Sequence, residues 1–261
     1  MAEVEFKLQD HIAHITLNRP DAANALNAEV AKQLDQVALR CDESPDVRAV
    51  LMTGAGKVFC GGGDLKAFAA QSVEELPAYL KTVTLHFHQA LHRFARMRTP
   101  LVIAVNGNAG GGGMSLALAG DIVLAAESAR FTMAYTRVGL TPDGSSTYTL
   151  PRLIGLRRAA ELMLTNRTLT AREAEQMGLI TRTVPDAELA SNAEAVVREL
   201  AQGATCAFGG VKRLLYSSAT SSLAEQMELE TEWIAEVART HDAHEGITAF
   251  LGKRSPKFGG A

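Results

Sequence analysis

The chain has 261 residues, 47% hydrophobic and 21% charged, which excludes disordered and fibrous classes and leaves ample length for one large core or a core with a small appended lobe. Its 26 basic and 29 acidic residues give a formal net charge of -3 without a long block of either sign, so the basic stripe that nucleic-acid binding needs is missing. Cys41, Cys60 and Cys206 are widely spaced, the N-terminus lacks a signal-like apolar stretch, and no segment approaches the roughly 20 apolar residues of a membrane span. These features point to free thiols in a reducing, cytoplasmic setting with no membrane partner.

Val4, Phe6 and Leu8 alternate with polar residues, and beyond a polar turn at Gln9-Asp10 the stretch from Ile12 to Leu17 is rich in β-branched residues, the pattern of an antiparallel hairpin. Val30, Leu34 and Val37 recur at helical spacing within 28–40, and a buried strand over 47–52 follows, so this part reads as a β-α-β unit. The alternation then repeats. A helix is expected over 74–97, stopped before Pro100, followed by a strand over 101–105, a helix over 114–119 and a strand over 122–125. Such a sequence of elements implies α/β layers around a mostly parallel sheet. Beyond about Gly178 the periodicity becomes helical throughout, at 187–201, 205–216, 222–239 and 242–251. The chain therefore divides into a core over 1–195 and a helical lobe over 196–261, which packs either on its own core or on another subunit.

Two segments concentrate glycine, Gly54 to Leu65 and Asn106 to Met114, and each reads as a loop from a buried strand into a helix. Glycine there allows positive φ or a close backbone approach, and it turns main-chain N–H groups toward whatever lies at the helix start. Tight packing alone would explain the same pattern. Neither segment continues into the Lys-Ser or Lys-Thr of a phosphate loop, and Phe59 occupies the place of the third glycine that a dinucleotide fingerprint requires. What remains is a pair of loops able to present backbone donors to a carbonyl oxygen, the construction of an oxyanion hole.

The run FCGGGDL at 59–65 resembles the first signature of the crotonase (enoyl-CoA hydratase/isomerase) superfamily, and AVNGNAGGGGMSLALAGDIVLAAESARF at 104–131 resembles its second. The similarity extends from NRPDAANALN at 18–27, through GLTPDGSSTYTLPRLIG at 139–155, to AFLGKRSPKF near the end. This resemblance implies a ClpP-like spiral of repeated β-β-α units, a C-terminal helical trimerisation lobe, and homotrimers that pair into hexamers. It also implies an acyl-CoA substrate and no separate cofactor, coenzyme A being part of the substrate. The amides of Gly63 and Gly112 would hold the thioester oxygen, with the dipole of the following helix favouring negative charge there. Gly61, Gly63, Asp64, Leu65 and Lys66, with Gly112, would line the coenzyme A channel, Lys257 being a further candidate for its phosphates.

Hydratases that this chain resembles carry two glutamates where Ser115 and Tyr135 stand here, so ordinary hydration lacks its acid and base. Asp143, after Pro142, matches the single aspartate of several isomerases of the family. One base suffices for a 1,3-proton shift over an oxyanion-stabilised enolate. Asp143 before Gly-Ser-Ser would equally suit a helix N-cap. Aryl-CoA dehalogenases of the superfamily, of the 4-chlorobenzoyl-CoA type, resemble the chain around 129–169 and would place an attacking aspartate at Asp143 and a histidine base at His88. Hydration through other groups and acyl-CoA binding without turnover stay open. His86, His88 and His92 share a helix without acidic or cysteine partners at ligand spacing, so no metal site is expected. Asp121 is expected to brace a turn, and Glu127 and Glu161 to be solvated.

Overall fold

The expected hairpin forms in a computed structural model that describes residues 2–261: β1 (Val4–Gln9) pairs antiparallel with β2 (Ile12–Leu17), running from Val4 opposite Leu17 to Gln9 opposite Ile12. Its two turn residues are Asp10 and His11, at φ 52° and 65°, one residue later than the polar pair suggested. Left-handed values at both positions match the twist of the flanking strands. Asn27 then caps α1 (Ala28–Glu43) by accepting the Val30 amide, and the helix buries Val30, Leu34 and Val37 before β3 (Ala49–Gly54) runs parallel to β2.

Three further turns of chain follow the same plan. A short strand β4 (Val58–Cys60) leads through α2 (Leu65–Ala69) to α3 (Leu76–Arg96). Strands β5 (Leu101–Val105) and β6 (Asn108–Gly110) lead to α4 (Gly112–Ala117). Then β7 (Ile122–Ala126) and β8 (Arg130–Thr132) lead through a 3-10 turn at Tyr135–Val138 to α5 (Ser146–Ile154) and α6 (Leu156–Thr165). The spiral closes with β9 (Leu169–Thr170), α7 (Ala171–Gln176), β10 (Arg182–Val184) and α8 (Leu189–Ala201). Successive turns add strands to a six-stranded sheet, ordered β1-β2-β3-β5-β7-β10, and to a four-stranded sheet, ordered β4-β6-β8-β9. This is the α/β spiral of β-β-α units that the resemblance implied.

Several boundaries differ from the sequence reading for local reasons. The glycine segments are not plain strand-to-helix loops, because β4 and β6 lie inside them; strands of three residues carry no readable period. Helix α3 begins at Leu76 rather than 74, with Pro77 in its first turn, where the missing N–H costs no hydrogen bond. Helix α4 begins two residues earlier than expected, on Gly112 itself.

Helix α8 packs across β3, β5 and β7, so the expected division at 195/196 falls inside a helix that covers the large sheet. Beyond it lie α9 (Thr205–Ser217), α10 (Leu223–Val237) and α11 (His241–Leu251). Buried Lys212 ties α9 to the core: its Nζ sits 2.7 Å from Asp121 Oδ2 and donates to the Phe94 and Thr99 carbonyls. Asp121 also accepts the Leu101 amide at 2.7 Å, so it braces the start of β5. Helix α10 buries none of its residues, and Leu215, Leu223, Met227, Ile234, Ile247 and Phe250 leave an exposed apolar face across the three helices. Among the described residues no helix is long and apolar enough to cross a membrane.

Candidate active site

Because β4 and β6 are parallel neighbours, the glycines that follow them lie side by side. Gly62 shows why a side chain is not tolerated here: its φ is 99°, and an added Cβ would come 2.6 Å from the Gly110 carbonyl oxygen. Gly63 and Gly112 both line a cavity of about 440 Å³. Neither amide donates to a protein acceptor among the described residues, and the first amide of a helix has no partner within it. Two free N–H groups on one cavity wall can stabilise an oxyanion. Helix α4 has only six residues, so the amide itself, more than a long helix dipole, carries this capacity.

Asp64 sets the course of the backbone beyond Gly63. Its Oδ1 caps α2 by accepting the Lys66 and Ala67 amides, each at 3.1 Å, and its Oδ2 lies 3.0 Å from Arg19 Nη1. Burial opposes the charge, but the amides and the Arg19 guanidinium outweigh it and hold the carboxyl below its ordinary range. Leu65 and Gly61 line the cavity, whereas Asp64 and Lys66 do not. Lys66 is exposed, with no carboxylate in ion-pair reach among the described residues. Lys257 lies in the tail after α11, where its amide donates to Glu245, and it is also absent from the lining. Cys60 precedes the first cluster and is fully buried; burial pushes its thiol up to about 12, too high for a nucleophile near neutral pH.

The opposite wall carries Asp143, and its carboxylate is not a helix cap. Helix α5 starts at Ser146 after Ser145, which stands at φ 60°, and Ser146 bonds only the backbone carbonyl of Asp143, through its amide at 3.2 Å and its hydroxyl at 2.8 Å. The carboxylate instead accepts the Tyr135 hydroxyl at Oδ1, and its Oδ2 lies 3.4 Å from His88 Nε2. Ser115, fully buried on α4, places its Oγ 3.0 Å from the Tyr135 hydroxyl and 3.0 Å from the Asp143 carbonyl oxygen. Burial first, and the neighbouring Asp143 charge second, push the Tyr135 phenol well above its ordinary range, so it remains a donor. The Gly144 amide donates to His88 Nε2 at 3.1 Å. The hydrogen-bond partner of that nitrogen is thus the Gly144 amide, not the carboxylate. Gly144 must be glycine, with φ 61° and an added Cβ only 2.6 Å from the Phe87 ring.

Thus Gly61, Gly63, Leu65, Gly112, Tyr135 and Asp143 share one cavity, and Ser115 and His88 reach it through Tyr135 and Asp143. The lining residues that sequence reasoning did not single out are mostly apolar, among them Leu26, Phe68, Leu80, Val83, Phe87 and Leu140, but they include Thr84, Thr141 and the cation Arg137. Those on α3 repeat at helical spacing, a signal equally produced by any core-facing helix. The other two histidines of α3 face elsewhere, His86 toward Asp35 at 3.2 Å and His92 toward Arg96 at 3.4 Å. No cluster of three or more metal-ligating side chains occurs among the described residues. Glu127 and Glu161 form exposed ion pairs with Arg172 and Arg167.

The family model described as enoyl-CoA hydratase/isomerase matches residues 7–261. The chain is 39% identical over 246 residues to 1,2-epoxyphenylacetyl-CoA isomerase of Escherichia coli (strain K12), with 94% of each protein covered. It is 34% identical over 245 residues to 4-chlorobenzoyl coenzyme A dehalogenase-2 of an Arthrobacter species, covering 94% of this chain and 88% of that one. Among solved structures, enoyl-CoA hydratase from Bacillus anthracis superposes with a TM-score of 0.93 at 31% identity, over 99% of this chain and 100% of the other. The three names describe three different reactions on one scaffold.

Proposed function

The chain belongs to the enoyl-CoA hydratase/isomerase family of acyl-CoA enzymes, and from that premise we propose that it moves a double bond within an enoyl-CoA by a 1,3-proton shift. One observation carries this reading: Asp143 is the only carboxylate among the described residues lining the cavity, and the same cavity is lined by the unpaired amides of Gly63 and Gly112. The base removes a proton from C2 or C4, the electron pair moves to the thioester oxygen between the two amides, and the proton returns at the other carbon. Each such donor is worth about 3–4 kcal/mol to the developing negative charge. Hydration would need a second acid or base to handle water, and Ser115 and Tyr135 supply no carboxylate for it. The apolar lining from Leu26, Phe68, Leu80, Val83 and Phe87 suits an apolar acyl group.

The reading is tested with 3-enoyl-CoA esters, whose conversion to the conjugated 2-enoyl thioester is followed by absorbance. Asp143→Ala is expected to lower kcat by about a thousandfold, within the range a positioned general base contributes. Full activity in that variant would contradict it.

A second reading, halide displacement from an aryl-CoA by Asp143, is favoured by the 3.4 Å approach of His88 to the carboxylate. It would require His88 Nε2 to leave the Gly144 amide in order to activate water. Chloride release from 4-chlorobenzoyl-CoA would establish it.

Lys66, an unpaired exposed cation next to Leu65, is the residue we assign to the coenzyme A phosphates. The apolar face of α9 to α11 supports a homotrimer or hexamer, because an exposed surface of this kind marks an interface. The three free thiols accord with a cytoplasmic setting.

A further inference from the structure

A carboxylate that only had to be near a substrate would need no fixed rotation, since its two oxygens are chemically equivalent. Asp143 is fixed at both ends. Ser115 Oγ lies 3.0 Å from its backbone carbonyl oxygen, and the Tyr135 hydroxyl, itself 3.0 Å from the same Ser115 Oγ, donates to Oδ1 of its side chain. Ser115 is fully enclosed on α4, and the half-buried Tyr135 packs against the core. Across the carboxylate, His88 Nε2 lies 3.4 Å from Oδ2 but takes its hydrogen bond from the Gly144 amide, so no hydrogen bond joins the ring to Oδ2. Oδ1 is occupied by a donor and Oδ2 is free of one.

We propose that Tyr135 is the positioning residue of the base: by holding Oδ1 it assigns both proton transfers to Oδ2 alone. The proposal rests on the isomerase reading above and adds to it which oxygen acts and what selects it. In the first step the C–H bond breaks as the Oδ2–H bond forms, and the electron pair passes to the thioester oxygen. In the second, Oδ2–H breaks as a C–H bond forms at the other end of the allyl unit and the carbonyl is restored. A single oxygen fixed on one side of the acyl chain removes and delivers on the same face. Held in one orientation beside the acyl chain, Oδ2 can return part of the protons it takes before they exchange with water.

The test compares wild type with Tyr135→Phe, which keeps the ring and removes only the hydroxyl, on a 3-enoyl-CoA deuterated at C2 in ordinary water. Wild type is expected to deliver part of the deuterium to C4 of the product. Y135F is expected to lose about tenfold to a hundredfold in kcat, the range that a hydrogen bond to a charged group spans, with KM within about twofold and a clearly smaller share of deuterium at C4. Ser115→Ala, which leaves the phenol but frees its far side, should move both readouts the same way by less. Unfolding curves superposing on wild type establish that each variant is folded. Wild-type kcat and deuterium transfer in folded Y135F would overturn the assignment, and so would a fall in kcat with transfer unchanged. A wild-type enzyme that performs no isomerisation would overturn the isomerase reading itself, and this assignment with it.

Discussion

The cavity wall proposed here to meet a thioester is made of backbone, whereas the wall that carries the proposed base is made of side chains. On the first, Gly63 and Gly112 contribute only N–H groups, and their positions follow from two parallel three-residue strands and from Gly62, where a Cβ would strike the neighbouring carbonyl. On the second, Asp143 owes its direction to Tyr135, Ser115 and the glycine after it. Backbone donors are set by the fold and are hard to retune by substitution, while a side-chain network can exchange members without disturbing the sheet. A scaffold built this way can keep its backbone wall and change its chemistry on the other side, and the relatives' names do describe an isomerase, a dehalogenase and a hydratase.

The sharpest way to break that contrast is to remove a backbone donor. Gly112 is the first residue of α4, where proline loses no helical hydrogen bond, although the Cβ it brings comes 2.9 Å from Leu26 Cδ1, so that side chain must shift. Gly112→Pro is expected to cost about a hundredfold to a thousandfold in kcat relative to Gly112→Ala, which brings the same Cβ and keeps the N–H, the loss typical of one missing oxyanion donor. Unimpaired turnover would show that the Gly112 amide takes no part.

A smaller effect is expected further from the chemistry on the same wall. Asp64→Ala removes the cap of α2 and the Arg19 pair, and should lower stability by about 1–2 kcal/mol at neutral pH. The folded carboxyl titrates below its ordinary value of 3.8, so its contribution is fully present above that pH and is lost as the pH falls through the lower folded value. Thermal unfolding across pH 2 to 7 should therefore show the gap between wild type and variant closing only at the acid end. A gap independent of pH would mean that the charge does not matter.

Much of the frame was legible from local pattern. The hairpin, α1, α3 and the helices beyond 205 announce themselves through period 2 or period 3.6, since each is long enough to show several repeats, and β5 through an unbroken apolar run. The second sheet was not, because β4, β6, β8 and β9 have only two or three residues each and owe their existence to the spiral that stacks them. The site divides in the same way. The glycine runs and Asp143 stand out as motifs, but the choice between a capping and a cavity-facing carboxylate depends on Ser145 taking a left-handed conformation, which no residue type dictates. The Ser115–Tyr135–Asp143 network joins three separate elements, and its members could be named but not connected before the fold brought them together.

The central claim is that this cavity stabilises a thioester enolate formed by one base. It is tested most directly with a saturated acyl-CoA, which has nothing to isomerise and no leaving group, incubated in deuterated water and analysed by mass spectrometry. Wild type should place deuterium at C2, at a rate that collapses in both Asp143→Ala and Gly112→Pro. No exchange by wild type, or exchange that survives both substitutions, would contradict it.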